Sequence, residues 1–531
     1  MKKLVSIFLA LAILLAVSIP ALADTNISFG TNDRTYEGYK ILNVTTSLKP
    51  GDSCADAHNP TCYNYAYTVN TKYIDILRAE VFNAGGEDLP DTAAEVTEQD
   101  IIDYLAAKTD DVDMREVADR IYRAIKAASP AIASDKTVND AEAATKTITE
   151  GYWLFADVTD LSGKNEANSL VMVNTAGQLE LNIQIKTDLP SVEKKVKDVN
   201  DTTGASAWQD SADYDVNDTV PFKLIATLTS KLDSYEAYAI KFHDSLAAGL
   251  TFKADTVKVY LYANEAAAEA DADLTSNTKT DVTAAFTKAT EDLEDDCSFE
   301  VSCADVKNIV IDENPIEVTK DSVFVVYYEA TLNNNAVIGG TGNPNEVYLE
   351  YTNDPYTATK TGKTTPDKVV VFTYQLTINK TDVAGNALKG AGFILSKKNA
   401  EGDYVAIGEE LKGADMTTFT WSGLDDGDYM LEEKTVPAGY NKMADIEFTI
   451  SAEHSAESAD PALTTVSVGD FSAGNFAATG IITKDIINQS GTLLPETGAM
   501  GTVIFITCGA LIATVAAVFM ITRKKMSIYE D

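Results

Sequence analysis

Histidine is scarce in this chain of 531 residues, which has only three: His58, His243 and His454. They are widely separated, and none has a nucleophile or metal-ligand residue at a suitable spacing. A glycine-rich phosphate-binding loop and a zinc signature are also missing. These absences argue against a secreted enzyme, and they predict that the protein uses no cofactor and no metal.

Positive charge is also scarce. The chain has 42 basic residues against 81 acidic ones, a formal net charge of −39 and a pI near 4.3. Nucleic acids and anionic membrane surfaces bind positively charged patches, so neither is an expected partner. The acidity fits a solvated extracellular surface, but it identifies no ligand.

The first 23 residues have the composition of a secretory signal. Lys2 and Lys3 precede an apolar run over residues 4–19, and the small residues of Ala21-Leu22-Ala23 follow it. This pattern predicts a signal peptide over residues 1–23 that is cleaved from the mature chain. A membrane anchor is the alternative, but the run is short for a span of about 20 residues.

The other end of the chain predicts a membrane span. Residues 501–521 are apolar and long enough to cross a bilayer, and Arg523-Lys524-Lys525 follows on the side expected to stay in the cytoplasm. The region between the two ends is therefore expected outside the cell. A span alone leaves the preceding pentapeptide, Leu494-Pro495-Glu496-Thr497-Gly498, unexplained.

Four of the five cysteines form two close pairs in the exported part, Cys54 with Cys62 and Cys297 with Cys303; the fifth, Cys508, lies in the predicted span. In a secreted chain, each pair predicts a small disulfide-closed loop. Zinc binding is the alternative. We disfavour it because no histidine or second cysteine pair lies at ligand spacing near either pair.

Strand-like stretches rich in Val, Ile, Thr, Tyr and Phe dominate the exported part, as in "YWLFADV" and "SVFVVYYEATL". Length and linker composition predict three tandem immunoglobulin-like β-sandwich domains over residues 24–188, 189–368 and 369–490. The sorting region over residues 491–531 follows them. The fold class is thus mainly β.

Helices are predicted only in the first of these domains. A helix over residues 97–108 begins with the capping pattern Thr97-x-x-Asp100. A second helix is predicted by apolar residues at helical spacing, namely Met114, Val117, Ala118, Ile121 and Ile125.

Ionisable residues follow apolar ones on the inward faces of strands in the third domain. Lys380 follows Leu376 and Ile378 at alternating positions of one strand. Glu433 follows apolar residues at alternating positions of another strand, and Asn488 ends the last strand. Burial would lower the pKa of the lysine and raise that of the acid, so that a neutral amine could attack the asparagine carboxamide. An ordinary ion pair at a sandwich edge is the alternative explanation.

A family resemblance favours the chemical explanation. "LTINKTD...LKGAGFIL", "YMLEEKTVPAGY" and "IINQSGTLLPETG" resemble the collagen-adhesin B-type domain of Gram-positive surface proteins. In that family an autocatalytic isopeptide bond joins the lysine and the asparagine beside the acid. The resemblance therefore implies that Lys380 and Asn488 are joined and that Glu433 catalyses the reaction.

The second domain has a similar arrangement. "LPSVEKKVKDVND", "AIKFHDSLAAGLTF" and "VYLEYTNDP" resemble the A-type isopeptide-forming domain of fimbrial backbone subunits. Val192, Lys194 and Val196 share a strand face, so Lys194 rather than Lys195 is the expected nucleophile. The resemblance implies Asp244 as acid and Asn353 as the amide. His243 points to the face opposite Asp244 and is expected at the surface.

The first domain resembles the N-terminal domain of the same pilins through "RTYEGYKILNVTTS" and "GYWLFADVTD". Lys40 could form a bond there, but no amide partner is evident.

The pentapeptide, the apolar span and the basic tail together resemble a sortase sorting signal. Pro495 favours an extended segment that fits a groove. A sortase cysteine would attack the Thr497 carbonyl and release Gly498 onward. In backbone pilins the acceptor lysine lies just before the second domain, and the corresponding residue here is Lys186 in "LNIQIKTDLP". The usual motif around the acceptor lysine is Tyr-Pro-Lys-Asn, and the sequence around Lys186 departs from it. The alternative interpretation of Lys186 is an ordinary exposed lysine.

The combined prediction is a sortase-assembled pilus backbone subunit that is not an enzyme. It would be anchored to a Gram-positive cell wall after a membrane-inserted precursor stage. Its expected partners are other copies of itself, a sortase, accessory pilins, peptidoglycan and host surface ligands. The alternative is a monomeric or accessory wall-anchored adhesin that binds host matrix or glycans.

Overall fold

The computed structural model describes residues 24–31, 33–49, 62–85, 90–108, 111–184, 188–293, 295–491 and 499–526. Within these ranges the strands fall into three successive groups along the chain, and each group has sheets of its own. We call these groups the N-terminal region (residues 24–184), the middle region (residues 188–372) and the C-terminal region (residues 373–491). The prediction of a mainly β chain is confirmed.

In its described residues the N-terminal region contains two sheets and three α-helices. Its elements are β1 (Thr25–Ser28), β2 (Thr35–Leu48), β3 (Tyr63–Val69), α1 (Ile74–Ala84), α2 (Glu98–Ala106), α3 (Asp111–Ala127), β4 (Lys136–Asn139), β5 (Thr147–Ile148), β6 (Gly151–Asp157), β7 (Leu170–Asn174) and β8 (Glu180–Asn182). One sheet has the strand order β5-β1-β8. The other has the order β3-β2-β6-β7, with β4 also paired to β2.

The two predicted helices correspond to α2 and α3, and the capping and apolar patterns that predicted them make the expected contacts. The Thr97 hydroxyl accepts the Asp100 main-chain N–H at 3.2 Å, and an Asp100 carboxylate oxygen accepts the Thr97 N–H at 2.7 Å. This capping box satisfies two N–H groups that the first turn of α2 leaves free. In α3, Val117 and Ile121 are among the residues that bury one face against the main sheet. The predicted helical insertion is confirmed.

The middle region is a sandwich of two large sheets. Its elements are β9 (Val192–Val199), β10 (Ser206–Gln209), β11 (Ser211–Asp213), β12 (Thr219–Thr227), β13 (Ile240–Leu246), β14 (Leu250–Tyr262), α4 (Glu265–Ala270), β15 (Thr280–Asp281), β16 (Thr287–Ala289), β17 (Phe299–Cys303), β18 (Val310–Ile311), β19 (Asn314–Pro315), β20 (Val323–Leu332), β21 (Asn343–Thr352), β22 (Thr361–Lys363) and β23 (Asp367–Phe372). The sheets have the orders β10-β9-β12-β20-β14-β15 and β11-β23-β21-β13-β17-β16, and β18 pairs with β19 outside them.

The C-terminal region is a smaller two-sheet unit. Its strands are β24 (Tyr374–Asp382), β25 (Gly392–Lys398), β26 (Tyr404–Ala406), β27 (Leu411–Lys412), β28 (Thr418–Leu424), β29 (Gly427–Thr435), β30 (Ile446–His454), β31 (Leu463–Ser467) and β32 (Ile481–Asn488). The sheets have the orders β28-β24-β32 and β26-β25-β29-β30-β31. β24 and β32, the first and last strands, are parallel neighbours, with Lys380 opposite Ile486 and Asp382 opposite Asn488.

β23 belongs to two hydrophobic cores at once. Val369 and Val371 pack into the core of the middle region, whereas Val370 and Phe372 pack into the core of the C-terminal region. Successive strand residues point to opposite faces, so one strand can fill both cores. The predicted boundary between residues 368 and 369 lies inside this strand. The turn-rich stretch 363–368 connects two strands that both pair with β21.

Several carboxylates lie close together where the middle and C-terminal regions are in contact. Lys397 of β25 contacts Asp215 at 2.7 Å, Asp201 at 2.9 Å and Asp425 at 3.2 Å. His454 of β30 lies nearby, with Nε2 3.6 Å from an oxygen of Asp213. Both side chains belong to the C-terminal region and contact acids of the middle region, namely Asp201, Asp213 and Asp215, so the contact is electrostatic as well as apolar.

α5 (Ala499–Met526) is the apolar helix predicted near the end of the chain. Residues 504–523 have a mean hydropathy of 2.5, and they are long and apolar enough to cross a membrane. Their side chains do not pack against the three regions, since none of this window is buried within the protein.

Candidate cross-linking sites

Lys194 lies on β9, the strand that opens the middle region. It is fully buried because it shares a face of β9 with Val196, and this face points into the core. A buried lysine needs partners for its ammonium hydrogens. Its Nζ atom lies 2.5 Å from Oδ2 of Asp244 on β13 and donates to Oδ1 of Asn345 on β21 at 2.7 Å.

A tyrosine completes a ring of hydrogen bonds around this lysine. The hydroxyl of Tyr328 on β20 donates to Asp244 at 3.0 Å and accepts the Asn345 Nδ2–H at 2.7 Å. All four side chains, including Lys194, are buried. The amine, the acid and the amide therefore converge in a dry site.

Burial dominates the protonation of this pair. It lowers the pKa of Lys194 to about 8, against the opposing charge of Asp244. It also raises the pKa of Asp244, against the opposing charge of Lys194. Both shifts favour the neutral forms, a free amine and a protonated carboxyl.

Asn353, the predicted amide, is not at this site. It follows β21, and its Nδ2 donates to the main-chain oxygens of Leu161 at 2.9 Å and Glu166 at 3.2 Å in the N-terminal region. Eight residues separate Asn353 from Asn345, roughly 26 Å along an extended chain. The register between β13 and β21 explains why Asn345, and not Asn353, lies near Asp244. Leu246, two residues after Asp244 on β13, is paired with Asn345 on β21. The amide beside Lys194 is therefore that of Asn345, and the structure does not bring Asn353 to this lysine.

In the C-terminal region the three predicted residues do come together. Lys380 on β24, Glu433 on β29 and Asn488 on β32 are all buried. Asn488 donates its Nδ2–H to Glu433 at 2.8 and 3.1 Å, and Lys380 donates to the main-chain oxygen of Ile486 at 2.8 Å. The parallel pairing of β24 with β32 brings Lys380 and Asn488 to neighbouring positions on one face.

This site also favours a reactive amine. Burial lowers the pKa of Lys380 to about 8, against the opposing charge of Glu433. Glu433 accepts a main-chain N–H from Met443 at 3.0 Å, which fixes its carboxylate. The Oδ1 atom of Asn488 is buried without a hydrogen-bond partner.

Part of this region is similar to a described domain family. Residues 374–461 match the SpaA prealbumin-like fold domain. The SpaA match includes Lys380 and Glu433 and ends before Asn488. A search of curated protein sequences found no match.

The solved structures that this chain is similar to include three pilins. The T6 backbone pilin of serotype M6 Streptococcus pyogenes has 16% sequence identity and a TM-score of 0.47, covering 88% of this chain and 98% of that one. The full-length major pilin SpaD from Corynebacterium diphtheriae has 15% identity and a TM-score of 0.44, covering 90% and 99%. The full-length major pilin RrgB from Streptococcus pneumoniae has 13% identity and a TM-score of 0.37, covering 66% and 86%.

The predicted sortase joint falls outside the described ranges. Neither Lys186 nor the pentapeptide Leu494–Gly498 is among the residues that the structure describes.

Lys40 in the N-terminal region has a side-chain partner of its own. Its Nζ donates to the Thr149 hydroxyl at 3.1 Å, and burial lowers the pKa of this lysine.

The cysteines differ from the prediction. Cys62 is disulfide-bonded, and its predicted partner Cys54 lies outside the described ranges, so that pairing stays a prediction. Cys297 and Cys303 are free thiols, and the disulfide predicted between them is wrong. Cys297 precedes β17 and Cys303 ends it, and the five residues of β17 alone extend roughly 13 Å. A disulfide needs Cα atoms within about 7 Å of each other.

The prediction of a surface position for His243 is also wrong. The side chain is on the face of β13 opposite Asp244, as expected, but it is only 3% exposed. The stretch 295–300, which is distant in sequence, folds over it.

Proposed function

We propose that the chain is the structural backbone subunit of a covalent cell-surface pilus, stabilised by an isopeptide bond in each of two successive regions. The observation that carries this proposal is the convergence of a buried lysine, acid and asparagine in both the middle and the C-terminal regions.

The reaction in the middle region joins Lys194 to Asn345. The neutral Nζ attacks Cγ of Asn345, a C–N bond forms, and Nδ2 leaves as ammonia. Asp244, protonated at the start, gives its proton to the leaving nitrogen and takes up the proton released by the amine, and so ends in its starting form. Tyr328 contacts both the acid and the amide and positions them.

The reaction in the C-terminal region joins Lys380 to Asn488 in the same way. Glu433 contacts the nitrogen that must leave, so it is placed to protonate that atom. Each bond connects the first strand of its region to a strand near the end of that region. Each reaction happens once per molecule, so the chain is a structural protein and not an enzyme.

The polymer joint requires a sortase as a partner. Its cysteine would attack the Thr497 carbonyl, break the Thr497–Gly498 bond and leave a thioester. The amine of Lys186 of a second copy would then attack the thioester, form an amide and release the sortase thiol. A head-to-tail link of this kind does not close into a ring, so it gives a fibre. Accessory pilins and peptidoglycan would join through the same chemistry.

Peptide mapping of native wall material tests the proposal. Digested fibres should contain a branched peptide joining Thr497 to Lys186, one joining Lys194 to Asn345, and one joining Lys380 to Asn488. A branch on Lys195 or Lys197 would overturn the choice of Lys186. Peptides with unmodified Lys194 and Lys380 throughout would overturn the internal bonds.

The masses of the wall-linked species that contain this chain distinguish the two hypotheses, a fibre subunit and a wall-anchored adhesin. Sortase-dependent species of increasing mass should contain this chain at every step. A single wall-linked band would instead mean that the chain is an adhesin.

A further inference from the structure

Four potential metal ligands of different chemistry meet on the face of β13 opposite the cross-linking site. They are His243 of β13, Asp295 and Cys297 of the segment before β17, and Glu300 of β17. One ligand atom from each lies within 4.8 Å of every other. Nothing in the proposed fibre function uses these residues.

The spacing matches a small tetrahedral ion. Nδ1 of His243 lies 3.1 Å from an oxygen of Asp295, 3.3 Å from Oε1 of Glu300 and 4.0 Å from Sγ of Cys297. Ligands arranged tetrahedrally around Zn²⁺ at its usual bond lengths are about 3.3 to 3.6 Å apart. Small side-chain adjustments would therefore suffice to bind the ion.

The imidazole is already oriented for coordination. Nε2 of His243 lies 3.1 Å from an oxygen of Glu350, and the ring stacks on Tyr348 at 4.4 Å between centroids. With the Nε2 hydrogen held by Glu350, the lone pair of Nδ1 points at the other three residues. A carboxylate on the remote nitrogen is the usual support for a metal-bound histidine.

Glu300 supplies an independent observation. The residue is 8% exposed, and its Oε1 has no hydrogen-bond partner although it faces the cluster. A buried carboxylate oxygen without a donor is costly in a folded protein. A cation among the four ligands would remove that cost. The other oxygen, Oε2, lies 3.6 Å from Nζ of Lys241 and is already neutralised in part.

We propose that His243, Asp295, Cys297 and Glu300 form a binding site for a divalent metal ion of the Zn²⁺ class. One nitrogen, one sulfur and two oxygen ligands suit Zn²⁺ better than Ca²⁺ or Mg²⁺, which prefer oxygen alone. Binding would release the Cys297 thiol proton to solvent. The Asp295 side chain is 29% exposed, and this gives the ion a route from outside.

Cobalt binding tests the proposal directly. Co²⁺ is added to the full-length chain, purified without a histidine tag and with its thiols reduced. We expect one equivalent to bind, with a thiolate-to-cobalt charge-transfer band in the near ultraviolet, and Zn²⁺ to displace it. Cys297→Ser should remove the band and weaken binding at least tenfold. Cys303→Ser is the matched control, because that thiol is at the other end of β17, and it should bind like the wild type.

A second measurement guards against misfolded variants. The far-ultraviolet circular dichroism spectrum and the melting temperature of each variant should match those of the wild type, which shows that the fold is kept. Zn²⁺ should also slow alkylation of Cys297 in the wild type and leave Cys303 unaffected. Absence of binding by the folded wild type would overturn the site, as would equal binding by the wild type and Cys297→Ser. The proposal does not depend on the fibre function.

Discussion

The two cross-linking sites contain the same three kinds of residue but connect them differently. In the middle region Lys194 contacts both the acid and the amide, and a tyrosine hydroxyl closes the ring. In the C-terminal region the acid Glu433 contacts the amide nitrogen, while Lys380 donates to a main-chain carbonyl. The acid of the middle region thus contacts the lysine amine, the proposed nucleophile, whereas the acid of the C-terminal region contacts the amide nitrogen, the proposed leaving group.

This difference indicates which features the chemistry requires. Both sites bury a lysine, an acid and an asparagine together, and burial lowers the lysine pKa to about 8 in each. The hydrogen-bond pattern varies between them. Convergence in a buried core is therefore the feature that the two candidate sites share, whereas their hydrogen-bond patterns differ.

The largest expected effect comes from removing one amide. Asn345→Ala should leave the chain one ammonia heavier than expected from the substitution alone, because the middle bond cannot form. The free energy of unfolding should fall by about 5 kcal/mol, the chain-entropy value for a closed loop of about 150 residues. Intact-mass spectrometry and urea unfolding measure the two quantities.

Asn353→Ala is the matched control for this experiment. It removes an amide that bonds to the N-terminal region, so both internal bonds should still form. If Asn353→Ala kept the extra ammonia and Asn345→Ala did not, the assignment of the middle site would be wrong.

The pH dependence of bond formation should separate the two sites. Lys380 is not bonded to its acid, so its neutral fraction, and with it the reaction rate, should fall about tenfold for each pH unit below its pKa. Lys194 and Asp244 can exchange a proton within their pair without a change in total protons, so the middle site should vary less.

This difference can be followed in chain refolded from unreacted inclusion bodies at pH 6 to 9. Ammonia loss at each site is timed by mass spectrometry of peptides. Identical profiles at the two sites would contradict the distinction drawn between them.

Tyr328→Phe should slow only the middle reaction. It removes a hydroxyl that bonds to a buried acid, a contact worth about 1.5 kcal/mol or more, and hence about a tenfold lower rate. The same refolding assay measures the change. Tyr327→Phe is the neighbouring control, because its hydroxyl bonds to Glu329 instead. Equal slowing at both cross-linking sites would mean that the effect is on folding.

The smallest expected effect concerns the junction between the two sites. Burial raises the pKa of Asp425 and raises that of Asp426 to about 7. The folded junction therefore keeps protons that the unfolded chain has released, and its stability should fall as pH rises from about 4 to about 7.

His454 acts in the same direction. Burial lowers its pKa, but Asp213 and nearby carboxylates raise it by more. Its contribution is complete below the unfolded pKa and is lost as pH rises through the folded pKa. Calorimetry should show the middle and C-terminal regions melting together at pH 5 and further apart at pH 8. The reverse order would contradict this assignment of protons.

Local patterns in the sequence predicted the inward-facing side chains well. Period-two alternation placed Lys194 and Lys380 in cores, and the capping pattern at Thr97 placed the start of a helix, because both depend on neighbours in sequence. Alternation could not distinguish Asn345 on β21 from Asn353 just after that strand, since an even number of positions separates them. Only the register with β13, a tertiary property, makes that choice.

The metal-ligand cluster was missed for a related reason. His243 and Cys297 are 54 positions apart, and no spacing rule connects them. The sequence did contain one signal, namely that Asp295, Cys297 and Glu300 lie within six residues of one another. The fold had to bring β17 beside β13 before the histidine became their neighbour.

The double membership of β23 has a mechanical consequence for the proposed fibre. With both internal bonds in place, tension would cross from Lys194 to Asn345 and later from Lys380 to Asn488. Residues 195–344 and 381–487 would then be bypassed and carry no load. The main chain over residues 346–379 remains the loaded link between the two bonds.

β23 lies within that link, with one face in each core. To lengthen, a subunit would have to pull this strand away from β21 and from both cores at once. Together with the parts of β21, β22 and β24 in the same link, this six-residue strand would govern how easily each subunit stretches before any covalent bond is strained.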